Sequence, residues 1–484
     1  MRFGSPRRKV GARRPPAHPD INLEFPVGHA FPAPRHGAVS ALVLACLWPA
    51  AAPAQEIADA YRDAARRIIA AATADHRAYE RLGELVDRFG HRLSGSVALE
   101  QAHDWMLEEM RADGLENVAS DPVMVPHWVR GNESLELLLP RAKKMNMLGL
   151  GGSVATPPGG VRGEVLVVSS YEELEARKDE AAGRIVLFDV PFTSYGETVA
   201  YRGGGAVAAA KVGAIASLLR SVGPESMQSP HTGGMRYEDG VPRIPHAAIT
   251  VEDAQMLHRM QDRGERIEVL LKMEAKFLPD APSRNVMAEL VGSERPEEIV
   301  VLGGHTDSWD VGQGAMDDGG GVVAAWEAVR LLKELGLRPR RTIRFVGWTN
   351  EENGLRGGRQ YVEDHGDERH VLAMETDGGV SRPLGYGFTG SDRAFAMIRE
   401  IGTLLEEIGS GTITRGGGGA DIGPLMETGV PGMGLNVDGT RYFWYHHTDA
   451  DTLDKLDPDE VALCVATLAV MAYVVADMPE TLPR

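Results

Sequence analysis

Residues 303–321 read GGHTDSWDVGQGAMDDGGG. They follow a short apolar run, Ile299 to Leu302, and lead into Val322 to Leu335, whose apolar residues recur at helical spacing. A buried-type strand, a loop rich in acids and a helix form the repeating unit of layered α/β domains. Thr342 to Trp348 and Val371 to Met374 read as further strands of the same kind. The alternation from about residue 284 therefore predicts an α/β fold, with a mostly parallel central sheet flanked by helices in three layers.

In open sheets of this class the reactive groups gather at the carboxyl ends of the strands. Each polar cluster here obeys that rule. His305-Thr-Asp307 follows the first strand, Glu351-Glu352 the second and Asp377 the third, while Asp317-Asp318 and His446-His447 complete the set. A histidine that ligates a metal needs an acceptor on its other ring nitrogen, and Asp307 stands two residues from His305. One carboxylate can bridge two metals about 3.5–4 Å apart, for which Asp317 and Asp318 are the candidates. Of two adjacent glutamates on an irregular loop, one can ligate while the other serves as a general base. Together the clusters predict a two-metal hydrolytic site.

The remainder of the chain supports this reading. The formal charge is −18, and the first 54 residues hold seven basic and two acidic side chains, so the rest carries −23. Nucleic acid is thereby excluded as a partner. Ala38 to Ala51 is an apolar stretch after Arg35 and His36, ending at Ala52-Pro53-Ala54, the zones of a signal peptide. Residues 1–54 are therefore expected to be a disordered leader plus signal peptide, and the protein secreted or periplasmic. With Cys46 removed, Cys464 is left without a disulfide partner. Val461 to Ala476 is apolar, but at this length it reads as a buried core helix, so no stable membrane span is expected. Its start, Asp457-Pro-Asp-Glu460, carries an N-cap acid and a proline at the first helical position.

Residues 56–73 and 97–113 have amphipathic helical spacing, and Asn117 to Val129 reads as extended. From about residue 136 the texture turns to glycine, proline and short β-rich runs, which predicts an inserted α/β module over 136–275. Within it Gly203-Gly-Gly205 lacks the pattern of a phosphate loop and reads as a tight helix-to-strand segment. His231 and His246 have no acidic or cysteine partners at ligand spacing and read as surface or turn residues.

The stretches GGHTDSWDVGQGAMDDGGG, WTNEENGLRGG, METDGG and HHTDADTLDKLDP resemble the carboxypeptidase Q family, within the dinuclear zinc exopeptidases that include bacterial leucyl aminopeptidases. The likeness runs from about residue 57 to the closing VVADMPETLPR. It implies two Zn2+ ions, one held by His305 and Asp377, the other by Glu352 and His447, with Asp317 as the bridge. It also implies that Glu351 is the general base, that Asp307 orients His305, and that the Asp317–Asp318 peptide is cis. His446 stands where some relatives place a tyrosine that bonds the tetrahedral intermediate, and Asp421, in GGGGADIGP, matches a position near the substrate pocket. The peptidase domain would be discontinuous, over 55–135 and 276–484. The module at 136–275 resembles a protease-associated domain, which implies substrate gating or a homodimer contact. The expected activity is hydrolysis of dipeptides or short peptides by metal-activated water. The alternatives are a single-zinc acyl-transfer enzyme like the glutaminyl cyclases and an inactive, receptor-like protein on the same fold.

Overall fold

The computed structural model describes residues 56–484. The expected leader and signal peptide, residues 1–54, lie outside the described residues.

The chain opens with three helices, α1 (Glu56–Ala72), α2 (Arg77–Phe89) and α3 (Val97–Ala112), and one long strand, β1 (Glu116–Val129). Ser96 caps α3, its side chain accepting from the Leu99 N–H. The next eight strands lie between residues 133 and 273: β2 (Glu133–Leu139), β3 (Lys143–Met145), β4 (Met147–Gly149), β5 (Val161–Val168), β6 (Ile185–Phe188), β7 (Ala216–Arg220), β8 (His246–Ile249) and β9 (Glu268–Met273). They form a sheet of their own in the order β3-β2-β9-β5-β6-β7-β8-β4. Its helices are α4 (Tyr171–Ala176), α5 (Lys178–Ala181), α6 (Tyr195–Lys211) and α7 (Val251–Asp262). The triple glycine lies inside α6, so it belongs to a helix that leads to a strand. This inserted lobe has its own apolar clusters, one on either face of its sheet: Val165 and Val167 belong to one, Leu166 and Val168 to the other.

The chain returns on β10 (Lys276–Leu290), which pairs antiparallel with β1. Then follow β11 (Arg295–His305), α8 (Gly320–Glu334), β12 (Arg341–Trp348), α9 (Arg356–His365), β13 (Arg369–Glu375) and β14 (Pro383–Thr389). The last elements are α10 (Asp392–Gly402), β15 (Thr412–Arg415), α11 (Gly423–Glu427), β16 (Gly432–Val437), α12 (Tyr442–Tyr445) and α13 (Pro458–Asp477). The main sheet has the order β1-β10-β12-β11-β13-β16-β14-β15. Four of its seven pairings are parallel, including all three at the centre, and the antiparallel ones lie toward the margins. The sheet is thus mixed, with the expected parallel arrangement confined to the middle and to one outer pair.

Successive residues of β11 serve opposite faces of the sheet. Val300 and Leu302 pack with residues of α1, α8 and α13, whereas Ile299 and Val301 pack with Tyr361, Ile422 and Leu425 from the other side. Burial on both faces explains why β11, β12 and β13 read as continuous apolar runs. Helix α13 is apolar and long enough to cross a membrane, and 83% of its most apolar window is buried in the first of these clusters. Asp457 caps it, with Pro458 at its start.

Two of the expectations for the lobe need correction. His231 and His246 are fully buried rather than at the surface, because the lobe folds their loops inward. Burial holds the His246 imidazole down at about 4, and His370, beside the Tyr361 hydroxyl at 2.9 Å, is likewise held at about 4 by burial and by Arg344. An unfolded histidine titrates near 6.5. Above that value both states are neutral and stability is complete; as pH falls from 6.5 toward 4 the unfolded chain takes up protons that the fold refuses. Each unit of difference is worth ~1.4 kcal/mol. Urea titrations of metal-free protein should therefore show stability falling across this window, and His370→Gln should flatten the fall. Coincident slopes for the two proteins would remove this account.

Candidate metal centre

Strands β12, β11 and β13 are parallel neighbours, and the register sets His305 beside Trp348 and Gly303 beside Glu375. Their carboxyl ends therefore bring His305, the Glu351-Glu352 loop and Asp377 to one edge of the sheet, as the strand-end rule requires. The loop between β11 and α8 adds Asp317, and the segment after α12 adds His446 and His447.

The donors fall into two groups that share one carboxylate. His305 Nε2 lies 3.3 Å from Asp317 Oδ1 and 3.3 Å from Asp377 Oδ1. His447 Nε2 lies 3.2 Å from the other oxygen of Asp317 and 3.0 Å from Glu352 Oε2. His446 Nε2 is 3.5 Å from that same Asp317 oxygen, and its ring stacks on His447 with centroids 3.5 Å apart. The sequence-predicted ligands are thus all brought together.

What holds them is partly legible in the motifs and partly not. His305 Nδ1 is 2.9 Å from the main-chain carbonyl of Asp307, while the Asp307 carboxylate oxygen stands off at 3.7 Å. The contact between Asp307 and the His305 ring is thus made through the Asp307 backbone. Its carboxylate instead accepts from the Glu351 N–H and the Ser94 hydroxyl, each at 3.1 Å, so it fixes the glutamate loop. Asn350, at φ +68°, closes that loop by donating to Ser94 Oγ and accepting from Arg356 N–H.

Asp318 points away from the donor cluster. Its Oδ2 accepts from the His305 N–H at 3.1 Å, and any Cβ on Gly304 or Gly321 would come within about 2.2 Å of its oxygens. Those two glycines are what leave room for it. The Asp317–Asp318 peptide is cis, as the family resemblance implies. Asp451 then accepts from three consecutive N–H groups, Ala315, Met316 and Asp317, at 2.7–3.1 Å. Arg92, fully buried, donates to the carbonyls of Gly90, Thr306, Gln313 and Gly314. Asp451 stands inside the quoted HHTDADT run and had a signal; Arg92 and Ser94 are remote in sequence and had none.

The inserted lobe completes the second group. Thr232 donates its N–H to the His447 carbonyl at 2.9 Å, and its own carbonyl lies 3.3 Å from His447 Nδ1. His447 has φ +62°, a left-handed conformation that a non-glycine residue adopts only when its surroundings hold it there.

The cluster fits divalent zinc on its own chemistry. His305 Nε2 and Glu352 Oε1 are buried and have no hydrogen-bond partner, and two imidazoles with three carboxylates form a donor set suited to zinc. The electrostatics agree. Burial, with the charges of Asp377 and Glu352, pushes Glu351 well above the usual carboxylate range, and burial and Asp317 raise Glu352 to about 7. Although burial opposes its charge, Glu352 and Asp317 lift His447 to about 10. So many buried acids are poised to hold protons or cations.

Glu351, Glu352, Asp317, Asp377, His446 and His447 face a cavity of about 920 Å³. Asp421 does not line it. It is buried, with both oxygens unpartnered, and burial, Glu375 and Glu351 push its carboxyl well above the usual range.

Comparison with known proteins agrees with this geometry. The model of peptidase family M28 matches residues 285–472. The chain is 51% identical over 435 residues to carboxypeptidase Q of Mus musculus, covering 89% of this chain and 92% of that protein. With carboxypeptidase Q of Homo sapiens the identity is 50% over 427 residues, covering 87% and 90%. A crystal structure of a peptidase M28 precursor from Shewanella amazonensis superposes with a TM-score of 0.84 at 34% identity, covering 88% of this chain and 99% of that one. A zinc aminopeptidase from Bacillus subtilis shares the fold, with a TM-score of 0.63 at 20% identity over 84% of this chain and 96% of that one.

Asp451 touches no donor atom yet positions the loop that carries Asp317. Asp451→Asn replaces an acceptor by an N–H that must face other N–H groups, so zinc affinity should drop about 10–100-fold with little change in the far-ultraviolet circular dichroism. Competition against a chromogenic chelator checks this; unchanged affinity would leave Asp451 with no such role.

Proposed function

We propose, on the premise that the chain belongs to peptidase family M28 and is a zinc-dependent exopeptidase, that its buried cluster holds two zinc ions and hydrolyses dipeptides or short peptides. The observation that carries the stoichiometry is Asp317, whose two oxygens serve the two donor groups separately. In this reading His305 and Asp377 complete one site, and Glu352 and His447 the other.

Zinc bound there lowers the pKa of water to ~7 and polarises a carbonyl. Glu351 is the proton carrier. It faces the cavity and its backbone is held by Asp307, which suits a base that takes a proton and then returns it to the leaving amine. His446, with its ring against His447 and its edge in the cavity, is placed to donate toward charge that develops on the reacting carbonyl oxygen. Asp421 stands away from the cavity wall with both oxygens unpartnered, and this reading gives it no contact with substrate.

The domain reading is a peptidase domain over 55–135 and 276–484 and a protease-associated-like insert over 136–275; the two separate sheets support it, although β2 of the insert's sheet begins at Glu133. Entry through a signal peptide at residues 1–54 and a secreted or periplasmic location rest on the apolar stretch at Ala38 to Ala51.

Two measurements test this. Metal analysis of the protein dialysed against buffered zinc should give two ions per chain, and Asp317→Ala should give one or none. Glu351→Gln should keep both ions and lose ~10²–10⁴-fold in kcat. One ion in the parent protein, or near-normal turnover in the glutamine variant, would each overturn the corresponding assignment.

A further inference from the structure

Seven large apolar side chains are exposed among the described residues, and five of them line no part of the cavity at the metal cluster. Such exposure is ordinary, because a folded chain has too little polar surface to cover itself. Phe277 and Leu278 are different. They are consecutive, 55% and 43% exposed, and both line the cavity that Glu351 and Asp377 face. Met124 and Val129, exposed on the neighbouring strand β1, do not.

Strand pairing fixes where the two side chains stand. Phe277 is opposite Trp128 and Leu278 opposite His127 in the antiparallel ribbon of β1 and β10. Trp128 is buried, with its indole N–H donating to the Ser153 carbonyl at 3.0 Å. The His127 ring lies against Gly95, at φ +83°, where a Cβ would come within 2.9 Å of it. The ribbon is also tied to the loop of the general base. Arg356 donates to the Met124 carbonyl at 2.9 Å and pairs with Asp280 at 2.6 Å, so it joins both strands. Leu355, the residue before it, lines the same cavity, and its N–H bonds back to the Asn350 carbonyl at 2.6 Å across the turn that carries Glu351 and Glu352. Leu355, Leu278 and Phe277 therefore make one apolar wall that starts beside the base.

We propose that this wall is the specificity subsite for an apolar side chain on the residue that carries the leaving amine. The inference rests on the exopeptidase reading above and adds to it a substrate preference on one side of the bond. The side follows from the base. Glu351 returns its proton to the leaving amine, so the residue released with that amine lies toward the Glu351 loop, and Leu355 closes that loop. An apolar side chain laid against Leu278 and Phe277 removes both from water, a gain that glycine does not make. An acidic side chain there gives up its hydration for no partner.

The test uses zinc-loaded protein and two dipeptide series, Ala-Xaa and Xaa-Ala, with Xaa as Gly, Leu, Phe or Asp. The parent should favour Ala-Leu and Ala-Phe over Ala-Gly by roughly 10–100-fold in kcat/KM. Phe277→Ser and Leu278→Ser should each pull that ratio toward one while the ratios within the Xaa-Ala series hold. Both side chains are exposed, so neither substitution opens an internal void and the melting temperature should be kept. Calorimetry adds a readout without turnover: the parent should bind free leucine about 10-fold more tightly than glycine, and the variants should no longer tell the two apart. A parent indifferent to the second residue, or variants that keep its ratio, would overturn the proposal. So would a change confined to the Xaa-Ala series, which places the wall on the acyl side. Sedimentation that shows a parent dimer dissociated by Phe277→Ser, with an equal loss on every dipeptide, would make the patch an interface between copies of the chain, and the proposal falls. Absence of hydrolysis for every dipeptide, with zinc bound, would instead overturn the exopeptidase reading, and the calorimetry would still decide the subsite.

Discussion

A single carboxylate shared between two sets of donors governs the architecture of the site. Asp317 has His305 against one oxygen and His447 against the other. The surrounding structure holds its loop from several sides. Asp451 gathers the three N–H groups that precede and include Asp317, Arg92 gathers the carbonyls on both sides of the same loop, and Asp318 ties the loop to the end of β11. The cost of this precision is a set of buried acids that repel one another, which cations at the centre would offset. Stability and metal content are for that reason linked properties of this fold.

The second constraint is that the two donor groups do not come from the same part of the molecule. His305 and Asp377 sit on the rigid ends of central parallel strands. His447 sits in a loop with a left-handed backbone, and its hydrogen bonds run to Thr232 in the inserted lobe. Arg130, between β1 and β2, pairs with Asp310 of the metal loop and also donates to Thr232, so the junction of the two lobes is itself pinned by a buried ion pair. Breaking such a pair leaves an uncompensated charge. The lobe therefore acts on the geometry of one of the two donor groups, even though all five expected ligands belong to the peptidase lobe.

This division explains what could be read from the residues in order. The strand-end histidine and acids are legible because a parallel sheet forces its reactive groups into short motifs after apolar runs, and HHTDADT carried both His447 and the bracing Asp451. Contacts made across the lobes leave no such trace. Thr232 and Arg202 are more than 200 residues from His447, and no spacing rule connects them. His231 and His246 looked like surface or turn residues because they have no acidic or cysteine partners at ligand spacing, whereas tertiary packing buries them. Helix α2 was missed for a related reason: Arg81 interrupts its apolar face, yet is buried, paired with Asp113 and Glu327 and lying 4.0 Å over the Trp326 ring.

The same division bears on specificity. Zinc and a glutamate base act on any accessible carbonyl, so the cluster alone sets the reaction and leaves the choice of bond open. That choice must come from groups that bind the peptide away from the reacting atoms, and the walls of the cavity differ in kind. One carries Phe277 and Leu278, apolar and exposed, from the start of β10; another carries arginines of the inserted lobe that have no ion-pair partner among the described residues. An apolar surface separates side chains by only ~1–3 kcal/mol per methylene or so, whereas a buried donor left without its acceptor separates ligands far more sharply.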